Sequence, residues 1–191
     1  RTVFTKALPI MPDTDLCSPI GAFAPDPHPT PAKRSDWMQS LAEHPALLRD
    51  AVCSLTTEHL DRPYRPGGWT IRQVTHHLAD NQLHGFLRMR WALTDDNPTV
   101  PPYDQDRWSQ LPDSASQPVR ASVDLLAALY RRWAYLLASL DAADFACSLT
   151  HPAAGPMTID DAIQLYDWHG RHHIAQITTC CERHGWTDET A

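Results

Sequence analysis

The sequence of 191 residues predicts an all-α fold, a bundle of four main helices behind a proline-rich N-terminal arm. Three observations carry this. Apolar residues recur at steps of three, four and seven in four separate stretches, helix start and stop signals flank those stretches, and no strand-period segment of convincing length is present.

Residues 1–32 contain Pro9, Pro12, Pro19, Pro25, Pro27, Pro29 and Pro31, too many fixed φ angles and missing donors for a helix or central strand. An extended arm is expected, with Met11 a candidate start of translation. Residues 33–187 are expected to form a single helical domain. From Lys33, Trp37, Leu41, Leu48, Val52 and Leu55 trace one buried face, which Pro45 should break into two pieces. The turn Gly67-Gly68-Trp69 leads to Thr70, a good N-cap, and Gln73 completes a capping box. That helix should run to about Leu93. Residues 94–117, with Pro98, Pro101, Pro102 and Pro112, make a connection longer than a bundle needs, and Tyr103 and Trp108 argue for an ordered loop packed over something. Val119, Val123, Leu126, Tyr130, Trp133, Leu137 and Leu140 mark the third helix. The fourth begins at Thr158, with Asp161 near its positive end, and Gly185 stops it after His184.

Composition excludes several functions. A formal net charge of −7 without a basic cluster argues against nucleic-acid binding. No stretch approaches the ~20 apolar residues of a membrane span, and residues 1–18 lack a secretory pattern, so a cytoplasmic protein is expected. Five cysteines without CxxC spacing suggest neither a disulfide framework nor a zinc knuckle. The adjacent Cys180 and Cys181 read as core filler. Nucleophile elbow, phosphate loop and dinucleotide fingerprint are all missing.

The informative residues are eleven histidines. Projected at about 100° per residue, the helix after Thr70 buries Ile71, Val74, Leu78, Gly85 and Met89. His77 lies at the edge of that face, Asn81 near it, and His76 and Asp80 point outward. On the last helix the apolar face centres on Ile159, Ile163, Tyr166, Gly170 and Ile177. His169 and His173 sit beside it, one turn apart, a spacing that can chelate one ion, whereas His172 points away. A third imidazole from a neighbouring helix, best His77, would complete a three-histidine site with open positions, as in catalytic rather than closed structural sites. Single histidines near an apolar face are more often hydrogen-bonded core residues, but three at once would need three separate buried partners. His184, on the buried side, and His84, a heptad after His77, are rivals or supporting groups behind the ligands. Gly170 stands where HExxH peptidases carry their general base, which excludes that chemistry.

Three segments together resemble a known family: YRPGGWTIRQVTHHLADNQLH (64–84), PYDQDRW (102–108) and LYDWHGRHHIAQI (165–177). From about Pro19 to Trp186 the chain is similar to the YfiT type of the DinB-like superfamily of metal-binding four-helix bundles. The resemblance implies the ligand set His77, His169 and His173, one zinc or nickel ion per chain, and a homodimer. It implies an enzyme, labelled a metal-dependent hydrolase in the YfiT type, or a thiol S-transferase that joins a small thiol such as bacillithiol to electrophiles. Asn81 departs from the serine usual after HHLAD, and the arm before Pro19 has no family counterpart.

The residues therefore support three readings. In the first, an ion held by the three histidines generates thiolate from a small thiol beside an electrophile under the 94–117 loop, with Tyr103 and Trp108 as substrate-binding candidates. In the second, water replaces the thiol and a small amide or ester is hydrolysed, with Asp80, Asn81 or His84 assisting. In the third, the ion stabilises a stress-response binding protein without turnover. A homodimer is also suggested by Trp168, whose indole projects away from the core.

Overall fold

A computed structural model describes residues 16–186; the expectations for Pro9, Met11 and Pro12 lie outside them. The first long helix, α1 (Pro31–Val52), starts two residues before Lys33, because Thr30 accepts from the Lys33 amide as N-cap and Pro31 takes the first helical position. There a proline loses nothing, since that amide has no helical partner. Pro45 does not break the helix, contrary to expectation. It sits buried inside one continuous α1, where the cost of the missing bond to the Leu41 carbonyl is offset by burial of Leu41, Leu48 and Val52 against the core.

A single turn, α2 (Thr57–Leu60), leads to α3 (Ile71–Thr94). The capping box is complete: Thr70 Oγ1 accepts from the Gln73 amide at 3.1 Å and Gln73 Oε1 from the Thr70 amide at 2.9 Å. The 94–117 connection is ordered, holding the short helices α4 (Gln105–Trp108) and α5 (Pro112–Ser116). Then α6 (Arg120–Ala138) presents Val123, Leu126, Tyr130, Trp133 and Leu137 to the core, ending two residues before Leu140.

Beside the helices the chain forms one small antiparallel hairpin that the sequence did not signal, β1 (Ser148–His151) and β2 (Gly155–Thr158), in the register Ser148 with Thr158 to His151 with Gly155. Four residues per strand, one of them Pro156, are too few to show a period of two. Its stability is tertiary: the Thr150 carbonyl accepts from Val100 and its amide donates to Pro98. Thr158 ends β2 and caps α7 (Ile159–His184), with Asp161 returning the bond to the Thr158 amide at 2.8 Å. Gly185, at φ 68°, closes that helix as expected.

Helices α1 and α3 each pack against both α6 and α7. The chain therefore crosses a diagonal twice, from α1 to α3 and from α6 to α7. This places α3 beside α7 along one edge, with the 94–117 loop and the hairpin against them. The arm from residue 16 is not free. The Asp26 amide donates to Gln164 Oε1 at 2.7 Å, Gln176 donates to the Cys17 carbonyl at 2.8 Å, and Lys33 pairs with Asp26. Among the described residues no helix is long and apolar enough to cross a membrane, and all five cysteines are free thiols.

Candidate metal centre

Where α3 crosses α7, three imidazoles meet. His77 Nε2 lies 3.4 Å from His169 Nε2, which lies 3.2 Å from His173 Nε2. All three donor atoms fall within 4.8 Å of one another, the one such cluster among the described residues. The expected triad is brought together.

Hydrogen bonding within the chain decides whether this cluster suits a cation. Gln176 donates from its amide nitrogen to the Cys17 carbonyl, which can only accept, so Gln176 Oε1 is the atom 2.8 Å from His173 Nδ1. His173 therefore keeps its proton on Nδ1 and presents a bare lone pair at Nε2. A proton on His169 Nε2 could serve one neighbour but not both, leaving another lone pair facing it. One cation satisfies all three. Tetrahedral nitrogen ligands 2.0–2.1 Å from an ion lie roughly 3.3 Å apart, the spacing of His169 Nε2 from each of its two neighbours. Burial pushes the His77 pKa down to about 4 and, with mutual repulsion added, holds His169 and His173 well below the usual imidazole range. All three are neutral at pH 7, the form that ligates.

Of the supporting candidates, Tyr103 comes nearest. Its hydroxyl is 3.5 Å from His77 Nδ1 and accepts from Asn81 Nδ2 at 3.2 Å, and burial raises its pKa to about 12, so the phenol stays protonated. Trp108 packs behind Tyr103 at 4.9 Å, and His84 stacks on Tyr103 at 4.4 Å. His84 is thus an aromatic support, not a rival ligand. Asp80 does not point freely outward as expected. It is half-buried, and burial, with Asp113 adding repulsion, raises its pKa to about 6.

Four other expectations change. His76 is buried, bonded to Ser122 Oγ at 2.7 Å and the Gln117 carbonyl at 3.0 Å, because the end of the long loop and α6 cover that face. His172 is buried beneath the arm, 2.9 Å from Gln176 Nε2. The Trp168 indole packs on Phe23 of the arm and stacks on His172, so it is not the lone exposed indole that suggested a dimer. His184 is exposed and stacks on Trp186, because α7 has by then run past the core.

Sequence reasoning missed Gln176, His44 and Arg88. A glutamine three residues after His173 was a usable signal for the first, since residues three apart share a helix face. His44 is signalled only by Gly170, whose absent side chain makes room for the His44 ring. Two cavities adjoin the centre. One of about 260 Å3 is lined by His169, Tyr103, Asn81, Arg88 and the hairpin residues His151 and Met157. The other, of about 300 Å3, is lined by His173, Gln176, Tyr64, Arg65 and Trp69. Gln105 borders both.

The sequence profile of the DinB superfamily matches residues 12–177. The chain belongs to the DinB superfamily. DinB relatives include a protein of Oceanobacillus iheyensis, 40% identical over 168 residues that cover 88% of this chain and 97% of the relative. Another, from Bacillus mycoides (strain KBAB4), is 42% identical over 172 residues, covering 90% and 99%. Each is named "Putative metal-dependent hydrolase". The solved structure of YfiT from Bacillus subtilis superposes with a TM-score of 0.88 at 41% identity, covering 91% of this chain and 99% of that one. It is described as "a probable metal-dependent hydrolase with an unusual four-helix bundle topology". The two diagonal crossings are this chain's departure from a simple up-and-down bundle.

Proposed function

We propose that this DinB-superfamily chain is a metal-dependent thiol S-transferase, with His77, His169 and His173 holding one zinc or nickel ion. The observation that carries the transfer reading is the pair of cavities, one lined by His169 and the other by His173. A transferase must hold two organic molecules beside one reacting centre, whereas a hydrolase needs one and water. The cavity beside His173 has polar walls, with Arg65, Gln176 and the Tyr64 hydroxyl, suited to a small polar thiol such as bacillithiol. The cavity beside His169 carries Met157, Leu165 and Tyr166, suited to a more apolar electrophile.

The ion, when bound, lowers the pKa of a thiol and so supplies nucleophile at neutral pH. The chain's residues do the rest. Gln176 keeps the His173 proton on Nδ1. With Nε2 committed to the ion, His77 keeps its proton on Nδ1, facing the Tyr103 oxygen. Tyr103 then accepts from both His77 and Asn81, which leaves its own O–H to donate to a group in the cavity. The walls align the two molecules, and since more thiolate accounts for at most a few tens-fold at pH 7, alignment must supply most of the acceleration.

Hydrolysis of a small amide or ester is the second reading, favoured by the names of the relatives and by Asp80, whose raised pKa suits a general base near neutrality. Incubating zinc-loaded protein with a chromogenic electrophile, with and without thiol, separates the two. Turnover only with thiol supports transfer, turnover without it supports hydrolysis, and none under either condition favours the non-catalytic binding protein. We also propose a cytoplasmic homodimer, on the family resemblance alone; a monomeric mass in light scattering at micromolar concentration would contradict the dimer.

A further inference from the structure

We infer that the molecule bound in the cavity beside His169 carries a carboxylate, recognised by Arg88. Arg88 lies on α3, is only 6% exposed, and lines that cavity. Its Nη1 donates to the Tyr166 hydroxyl at 2.9 Å and its Nη2 to the Pro101 carbonyl at 3.3 Å, both neutral acceptors. Its Nε has no partner, and among the described residues no carboxylate lies within 4.0 Å of the guanidinium. The other deeply buried arginine, Arg72, has Asp61 at 2.7 Å. Arginine stays protonated, and a buried charge without a counterion is costly. An anion in the cavity would supply the missing countercharge through the second N–H that Nη1 and Nη2 each keep, since Nε itself is closed off.

A second donor faces the same space. His151 lines the cavity, and its Nδ1 accepts from the amides of Ala153 and Ala154, both at 3.2 Å, so its proton sits on Nε2. No acidic side chain lines the cavity. A carboxylate suits the arginine fork, and Met157, Leu165 and Tyr166 suit an apolar body of a few carbons, which a volume of about 260 Å3 admits. That this acid is a substrate rests on the metal-centre reading. The carboxylate site itself does not.

Isothermal titration with butyrate and with the isosteric neutral butyramide tests the site, on zinc-loaded and on chelated protein. Butyrate should bind saturably and at least about tenfold more tightly than butyramide, and Arg88→Met should remove that difference. Arg88→Met could unfold the chain, so Ala154→Trp, at the exposed hairpin turn and filling the cavity, is the second variant and should also abolish butyrate binding. Equal binding of the two ligands, or butyrate binding untouched by either variant, overturns the inference. Butyrate binding lost on chelation but kept in Arg88→Met would put the carboxylate on the ion, overturning the Arg88 site while the metal centre stands. Arg88-dependent butyrate binding in a protein that takes up no zinc would uphold the site and sink the metal reading.

Discussion

The two flanks of α7 carry histidines of the same chemistry with opposite fates. On one, His169 and His173 turn Nε2 toward His77 of α3, and no protein acceptor lies among the three rings. On the other, His172 stacks on Trp168 under the arm and contacts the Gln176 amide. His76 on α3 and His44 on α1 repeat the second pattern, with Ser122 and Gln117 for one and Tyr130, with Asp167 3.4 Å away, for the other. Burial therefore does not distinguish a candidate ligand from a structural histidine in this chain. What distinguishes them is convergence: His44 Nε2 and His172 Nδ1 also lack hydrogen-bond partners, but among the described residues only His77, His169 and His173 bring their donor atoms to one place. Three Nε2 atoms converge on one point, and one cation there would satisfy all of them at once.

The largest effect that tests this contrast is on metal content. Alanine at His77, His169 or His173 should abolish tight zinc binding in metal analysis of the purified protein, whereas His76→Ala and His172→Ala should keep it. Equal content in all five variants would erase the distinction between the flanks. Chelation should next lower thiol transfer strongly at pH 7 and less at pH 10, where a thiol with a pKa near 8.5 ionises unaided. An equal loss at both pH values would count against thiolate generation as the role of the ion.

Gln176 joins the two flanks, touching both His173 and His172. Gln176→Leu should weaken zinc binding by roughly 10–100-fold, the usual cost of losing a hydrogen bond that orients a metal ligand. Competition with a chromogenic chelator measures it, and unchanged affinity would mean that the His173 proton is placed without Gln176.

Stability against pH sharpens the contrast further. The three candidate ligands have folded-state pKa values below the ordinary 6.5, about 4 for His77. The unfolded chain therefore binds more protons between about pH 4 and 6.5, and stability of the metal-free protein should rise with pH across that window and level off above it. Urea denaturation at a series of pH values reads this. The His77→Leu variant should show a shallower rise, and an identical slope would locate the pH dependence elsewhere.

The smallest expected effect concerns Gly170. A Cβ there would overlap the His44 ring, so Gly170→Ala should destabilise by about 1–3 kcal/mol, the usual cost of overpacking. Zinc stoichiometry should be unchanged, because His44 is not a ligand. A variant as stable as the parent would show that the ring can shift freely.

Local signals decided much of this protein. Thr70 with Gln73, Thr158 with Asp161 and the terminal Gly185 fix where α3 and α7 begin and where α7 ends, because capping is settled within a few residues. The same helical period put His169 and His173 on one face, with His77 the best-placed third donor and His84 and His184 left open beside it. What the sequence could not decide depended on segments distant in the chain. Whether His76 and His172 meet solvent was set by α6 and the arm, and the course of α1 through Pro45 was set by the core against it. The hairpin exists because Pro98 and Val100 bond to Thr150 and because β2 runs into the cap of α7. Arg88 likewise became informative only when the fold enclosed it beside His169 without a carboxylate, since a charge is costly according to what surrounds it and not to where it stands in the sequence.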